Sequence, residues 1–344
     1  MKLSIGIVGL PNVGKSTLFK ILTRQEVHIA NYPFATIDPN VGVVEVPDER
    51  LEKLSTMSKS KKIIPAVVEF YDIAGLVKGA NTGEGLGNQF LAHIRETQAI
   101  VVVIRLFGNS EIVHVEGTVD AARDLEIINT ELILRDLETV EKCIPKAESE
   151  ARTGSKEAAQ FLSVLREAKS ALEKGDLLSL EKHSHILQNV GMSGLSLLTA
   201  KKQLYLLNGT EEDANEALIG KIKSLGADYL AMDLASATEI SGLIKKSYEI
   251  LDLISFLTTG EDETRAWTIK KGTKAPEAAG VIHTDFEKKF IRAEVVNWQK
   301  LLEAAHSAGS GQGGWVQAKQ KGLIRLEGKD YVVQDGDVVV IRHG

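Results

Sequence analysis

Apolar residues fall along this chain in two rhythms, and the switches between them mark out its parts. Residues 2–8 form a short apolar run that reads as a buried strand, and "STLFKILTRQ" after it reads as a helix. "VGVVEVP" (41–47) and "AVVEFYDIAG" (66–75) are strands bounded by Pro, Asp and Gly. "AIVVVIRLF" (99–107) is a continuous apolar run, as in a strand buried on both faces of a parallel sheet. "KQLYLLN" (202–208) is the next strand, and "ADYLAMDLAS" (227–236) holds another. Strands alternating with helical segments predict an α/β domain with a doubly wound sheet.

Between Phe107 and Lys202 the sheet receives no strand, a gap far longer than an ordinary crossover. Leu125, Ile128 and Leu132, then Leu137, Val140 and Ile144, recur at mostly helical spacings, as do Phe161, Leu165, Ala168 and Leu172. "ARTGSKE" breaks the two series. The pattern predicts an antiparallel helical pair, an arm over 121–199 inserted into a nucleotide-type domain of 1–120 and 200–262; the alternative is two helices lying on the sheet. After Leu257 the rhythm changes again. "TTGEDET" reads as a linker. "RAWTIKKG", "FIRAEVV" and "DVVVIRHG" read as short strands, with helices at 274–282 and 297–306 and a flexible loop at 307–314. Residues 263–344 thus form a small α+β module. No internal repeat is visible.

Composition changes this picture little. The 344 residues call for two or three domains, and 43% apolar with 26% charged residues is globular. The single cysteine, Cys143, excludes an internal disulfide framework and fits a reducing compartment. No signal layout and no run of membrane-spanning length is present, so the expectation is a cytoplasmic protein without a membrane partner. Charge matters more. Residues 265–344 carry 13 Lys+Arg against 9 Asp+Glu, a net of +4 on a chain of net −6, which hints at a polyanionic partner as readily as at a solvated basic face.

The chemistry begins at Gly9-Leu-Pro-Asn-Val-Gly14-Lys15-Ser16, which fits G-x-x-x-x-G-K-[ST] between a strand and a helix. Glycines at 9 and 14 let the backbone wrap a phosphate at the positive end of that helix. Asn12, Val13, Gly14, Lys15, Ser16 and Thr17 are the candidate phosphate-binding set. Lys15 reaches the β- and γ-phosphates, and the Ser16 hydroxyl can ligate Mg²⁺. In Asp72-Ile73-Ala74-Gly75 the aspartate can hold the magnesium's water shell, and Gly75 can bring its N–H to the γ-phosphate. Thr36, in "YPFATIDPN", is the candidate second magnesium ligand on a loop ordered by that phosphate, and "KGANTGEGLGN" (78–88) is its mobile counterpart. Where Ras-like GTPases place a water-orienting glutamine, this chain has Leu76, so intrinsic hydrolysis is expected to be slow. His114 could supply the missing polarity or be structural; Asn12 could help hold K⁺ beside the phosphates.

The base is addressed by "LLNGTEED" (206–213). A GTPase has Asn-Lys-x-Asp here, whose aspartate accepts from guanine's N1–H and 2-amino group. Gly209 replaces the lysine, and Glu211, one methylene longer, spoils the bidentate fit. Adenine lacks a 2-amino group and loses nothing. Asn208 keeps an amide for a purine edge, and Asn208, Gly209, Glu211 and Ser236 form the candidate base-binding set. ATP is expected over GTP.

Together "GLPNVGKSTLF", "NYPFATIDPN", "DIAGLVKGA", the Asn-x-x-Glu at 208–211, "HTDFEKKFIRAEV" and "GKDYVVQDGD" resemble the Obg-like ATPase family of the YchF type, over almost the whole chain. The last two motifs are specific to that family's carboxy-terminal TGS domain, a β-grasp module. The resemblance implies a P-loop nucleotide domain, an inserted helical arm and a TGS domain. It also implies ATP with Mg²⁺, a hydrophobic residue at position 76, ribosomes or ribosomal RNA as partner, and a contribution of His114 to hydrolysis. The expected switch is a slow monomeric ATPase with no DNA partner; a nucleotide-gated ribosome- or RNA-binding module and a true GTPase are the alternatives. No acceptor pocket or lid arginine suggests a small-molecule kinase. Two departures stand out: Gly209 replaces a larger apolar residue, and "HSAGSGQGGWVQAKQKG" diverges within the TGS region.

Overall fold

The computed structural model describes residues 3–24, 40–72, 97–108, 119–186, 195–306 and 313–344. Thr36, Gly75, Leu76, His114 and the 78–88 stretch lie outside the described residues.

The first sheet has strand order β2-β4-β1-β5-β6-β7, where β1 is Ser4–Gly9, β2 Val41–Glu45, β4 Val67–Asp72, β5 Ala99–Arg105, β6 Lys202–Asn208 and β7 Asp228–Ala231. All its neighbours pair in parallel except β2, which runs antiparallel to β4. The parallel strands β1 and β5 are buried throughout, as their unbroken apolar sequences require of strands covered on both faces. Helices α1 (Lys15–Thr23), α5 (Glu216–Ser224) and α6 (Ser241–Ile250) flank this sheet, whereas α2 (Glu49–Ser58) packs against strands of the second sheet. Asp48 caps α2 by accepting from the Arg50 amide, and Asn215 caps α5 by accepting from that of Leu218.

The long gap holds α3 (Ala121–Ala151) and α4 (Lys156–Glu173), started by the caps Asp120 and Ser155. The ion pairs Glu148–Arg166 and Glu141–Lys169 fall in opposite chain directions, so the two helices are antiparallel. Both expectations for this segment hold in part. Leu125, Ile128 and Leu132 of α3 join the core of the sheet, whereas Val140, Leu165, Ala168 and Leu172 form a separate core within the arm.

The second sheet has order β11-β10-β12-β8-β9-β3, with β3 Lys62–Ile64, β8 Leu253–Thr259, β9 Glu263–Lys270, β10 Phe290–Asn297, β11 Arg325–Glu327 and β12 Asp337–His343. With α7 (Ala275–Ile282) and α8 (Thr284–Lys288) over one face, its own core gathers Phe256, Ile269, Phe290 and Val295. Helices α9 (Trp298–His306) and α10 (Gly313–Gln320) face the nucleotide domain instead. Their Leu301, Ala304 and Ala318 join the first sheet's core with Leu51 and Leu54 of α2. Three expectations change here. The sheet starts at Leu253, before the boundary expected between 262 and 263, because β8 finds its partners in β9 and β12 rather than in the first sheet. "TTGEDET" is the tip of the β8–β9 hairpin, closed by the Gly260 amide on the Glu263 carbonyl, not a linker. And β3, from the amino-terminal part of the chain, completes the edge of the second sheet.

Candidate functional site

Parallel pairing brings the carboxyl ends of β1, β4, β5 and β6 to one edge, where Gly9 lies opposite Val103, Ile7 opposite Asp72, and Arg105 opposite Asn208. The loop after β1 depends on its glycines. A Cβ on Gly9 would meet the Val103 carbonyl oxygen at 2.7 Å. Gly14, at φ 110° as the N-cap of α1, presses against the Asn208 amide nitrogen so closely that no side chain fits. Asn12 also holds a left-handed conformation, at φ 61°.

Around this loop opens a cavity of about 620 Å³. Asn12, Gly14, Lys15, Ser16 and Thr17 line its phosphate end. The Lys15 ammonium donates to the Gly9 and Leu10 carbonyls at 3.0 and 2.7 Å, folded onto its own loop. Burial holds its pKa below the ordinary lysine value, opposed by the charge of Asp72. Burial likewise raises the Asp72 carboxyl, opposed by Lys15. Val13 turns its side chain into the core, 1% exposed, and its backbone carbonyl accepts from the Asn208 amide.

Asn208 ties the two ends of the cavity together. Its side-chain Nδ2 donates to the Val13 carbonyl at 2.8 Å, and its Oδ1 accepts from the Leu234 amide at 3.0 Å. The residue expected to read the base is thus first a brace, with one N–H and one lone pair unspent. Gly209 follows at close quarters: a Cβ there would meet Leu106 Cβ at 2.8 Å. That contact explains the departure at this position, since Leu106 already occupies the space a larger residue would take.

Two expected base-binding residues are not brought to the cavity. Glu211 is exposed in a 3₁₀ turn, Glu211–Asp213, and Ser236 spends its hydroxyl on the Asp233 carboxylate at 2.7 Å. The turn is fixed by a capping box in which Asp213 Oδ2 accepts from the Thr210 amide at 2.9 Å and its hydroxyl at 2.7 Å. Those donors hold the Asp213 carboxyl below its usual range. Thr210 and Asp213 line the cavity in place of Glu211, with Phe107, Asp233 and Leu234. Phe107 is held by Arg105, 1% exposed, whose guanidinium lies 4.4 Å from the ring centroid and whose Nε donates to the Phe107 carbonyl. The one arginine in an otherwise apolar strand was the available signal for it.

The donors present fit a magnesium ion of the kind that binds with phosphates. Among the described residues no group of three His, Cys, Asp or Glu could hold a metal alone. One hydroxyl, Ser16, and one half-buried carboxylate, Asp72, suit a hard cation that takes its remaining ligands from water and phosphate.

Residues 4–140 match the family model MMR_HSR1, described as a 50S ribosome-binding GTPase, and residues 253–344 match YchF-GTPase_C, described as a protein of unknown function. The second match begins where β8 begins. The chain is 45% identical to the ribosome-binding ATPase YchF of Bacillus subtilis, covering 99% of each protein, and 41% identical to that of Escherichia coli O157:H7, covering 98% of each. Among solved structures, the Schizosaccharomyces pombe YchF GTPase is similar at 36% identity and a TM-score of 0.78, over 99% of this chain and 98% of that one.

Proposed function

Since this chain belongs to the YchF family, we propose that its cavity takes ATP with Mg²⁺ and hydrolyses it slowly to ADP and phosphate, as a switch that acts on ribosomes. The carrying observation is a formed P-loop braced by Asn208 to a base end that lacks the GTPase lysine and aspartate at 209 and 211. The curated relatives' name, ribosome-binding ATPase, supports the nucleotide and the partner alike.

In this reading the amides of 12–17 wrap the β-phosphate. Lys15 leaves the Gly9 and Leu10 carbonyls for the β- and γ-oxygens, whose charge opposes the burial that lowers its pKa. Ser16 and Asp72, with Thr36, would hold the magnesium ion, which would supply positive charge against the phosphate oxygens. Gly75 donates its N–H to the γ-phosphate while water attacks in line, and Leu76 leaves that water unoriented unless His114 swings in. Asn12, at the phosphate end, is the candidate K⁺ ligand; replacing K⁺ by Na⁺ should then slow turnover. The base rests near Phe107, Thr210 and Asp213.

One observation favours a second reading. Asp213 places a carboxylate at the base end, where guanine's N1–H and 2-amino group would find an acceptor, and the similar solved structure carries the word GTPase in its description. Calorimetric titration with ADP and GDP decides between them: tighter ADP binding is expected, and equal or tighter GDP binding removes the ATPase reading. Phosphate release with and without ribosomes separates a switch from a binding module with incidental turnover.

A further inference from the structure

A second cavity, of about 530 Å³, opens at the opposite edge of the first sheet. Its lining includes Thr97 and Gln98, just before β5, and Lys201 and Lys202, where β6 begins. The phosphate loop lies at the far ends of the same strands, roughly 20 Å away at about 3.3 Å per residue. Three parts of the molecule meet here. The segment 195–200 comes from the arm, 97–98 and 201–202 from the nucleotide domain, and 251–253 with 270–271 from the turn and strands that open the second sheet.

Four lysines, Lys201, Lys202, Lys270 and Lys271, line this cavity with one carboxylate, Asp252. On a chain of net −6 this is a concentration of like charge that folding alone does not favour. Lys202 pairs with Asp252. Lys270 and Lys271 are exposed and have no side-chain partner among the described residues. Lys201 is only 9% exposed and donates to the Thr97 carbonyl. The carboxylate acting on it, Asp136, is occupied by the Leu198 and Thr199 amides and the Thr199 hydroxyl. The side-chain oxygen of Gln98 is buried without a hydrogen-bond partner, and a half-turn of that amide would present two N–H donors instead.

We propose that this cavity is a second anion site, which takes the terminal phosphate of a small phosphorylated ligand and joins the arm, the nucleotide domain and the β-grasp domain around it. Lysines without arginine or aromatic partners recognise charge rather than a base or a planar group, and no aromatic or arginine side chain lines the cavity among its described residues. A terminal phosphate is favoured over a phosphodiester chain for two reasons. It carries close to two charges near neutral pH. It can also reach the recessed Lys201, which a strand crossing the mouth would pass over. Burial lowers the Lys201 pKa to about 8, so its ammonium is charged at neutral pH, and a phosphate bound beside it would raise that pKa again. None of this depends on which purine the first site prefers.

The test is calorimetry on the full chain, with ADP saturating the phosphate loop and sodium tripolyphosphate as titrant. A further binding event is expected, weakened at least tenfold by Lys270→Glu/Lys271→Glu, with ADP affinity changed less than twofold. Acetylation of Lys270 and Lys271 in the unmutated chain should be slowed by tripolyphosphate, a readout that needs no variant. Absence of the second event, equal binding by the charge-reversed chain, or unprotected lysines would each overturn the proposal. So would a 5′-hydroxyl oligoribonucleotide binding as tightly as its 5′-phosphorylated form, since that assigns the surface to RNA backbone.

Discussion

Asn208→Ala is the perturbation that bears most directly on how the nucleotide cavity is held. The side chain is 3% exposed and spans the Val13 carbonyl and the Leu234 amide, both on residues exposed to 2% or less. Alanine removes both bonds and leaves a donor and an acceptor in places water barely reaches. Each such orphan costs roughly 1–3 kcal/mol, so a loss of about 2–6 kcal/mol in stability is expected. Binding suffers separately. With the brace gone, the phosphate loop and the 233–235 loop order independently, and that ordering must be supplied when nucleotide binds; ADP affinity should fall at least tenfold, about 1.4 kcal/mol. Asn208→Asp sharpens the expectation. It keeps an acceptor for Leu234 but turns a carboxylate oxygen toward the Val13 carbonyl, so it should harm nucleotide binding at least as much as alanine. Urea unfolding followed by circular dichroism gives the first quantity and calorimetry the second. An alanine variant whose midpoint is unchanged and whose ADP affinity lies within twofold of the original would refute the brace.

Gly209→Ala should destabilise the chain by about 1–3 kcal/mol through its clash with the Leu106 Cβ, and Leu106→Gly in the same chain, which removes that Cβ, should recover part of the loss; a double-mutant cycle with no coupling refutes the contact. Arg50 bridges Asp48 and Asp335, each at 2.7 Å, and Asp335 also accepts from the Ser255 amide. Arg50→Met should therefore lower thermal stability far more than Asp335→Asn, because Asp48 is the more buried carboxylate and is left without its cation; equal melting shifts would contradict this. Lys201 gives a pH dependence. Burial, opposed by Asp136, brings its pKa from 10.5 down to about 8, so between pH 8 and 10.5 the unfolded chain holds the proton the folded one has released. Stability from this group accordingly rises with pH across that window, by at most about 3 kcal/mol, and is lowest below pH 8. Lys201→Met should flatten the rise in unfolding free energy measured from pH 8 to 10, and an unchanged slope would refute the assignment.

The phosphate end of the cavity was legible in the sequence because its chemistry is carried by the backbone. A strand, two glycines at fixed spacing and a helix start specify where the amides point, whatever packs around them, and Lys15 and Ser16 line the cavity. The base end is different. Counting places Glu211 where a GTPase has its aspartate, but Thr210 and Asp213 close a capping box that turns 211 outward and brings 213 to the cavity. A hydrogen bond three residues long overrode the register of a motif. Gly209 was equally opaque, since the reason for it, Leu106, lies on the neighbouring strand's exit.

The same contrast between local and distant causes governs the domain boundaries. Strand β8 is an apolar run like the strands of the first sheet, and nothing within 253–259 says which sheet it joins; Val338, far down the chain, decides. Strand β3 has only three residues, two of them exposed, and becomes a strand because β9 offers an open edge. These pairings have an energetic consequence. With β3 donated to the second sheet, and Leu301 and Ala304 of α9 sharing a core with Leu51 and Leu54 of α2, the two sheets are joined by both backbone ladder and apolar contact. Helix α2 follows β2, the strand hydrogen-bonded to β4, which ends in Asp72 at the phosphate site. A displacement of β2 would therefore act directly on α2 and, through Arg50 and Asp335, on the turn that precedes β12. Breaking that ion pair should change stability without changing ADP affinity if the path is only structural, and should change both if the phosphate site and the second sheet are coupled.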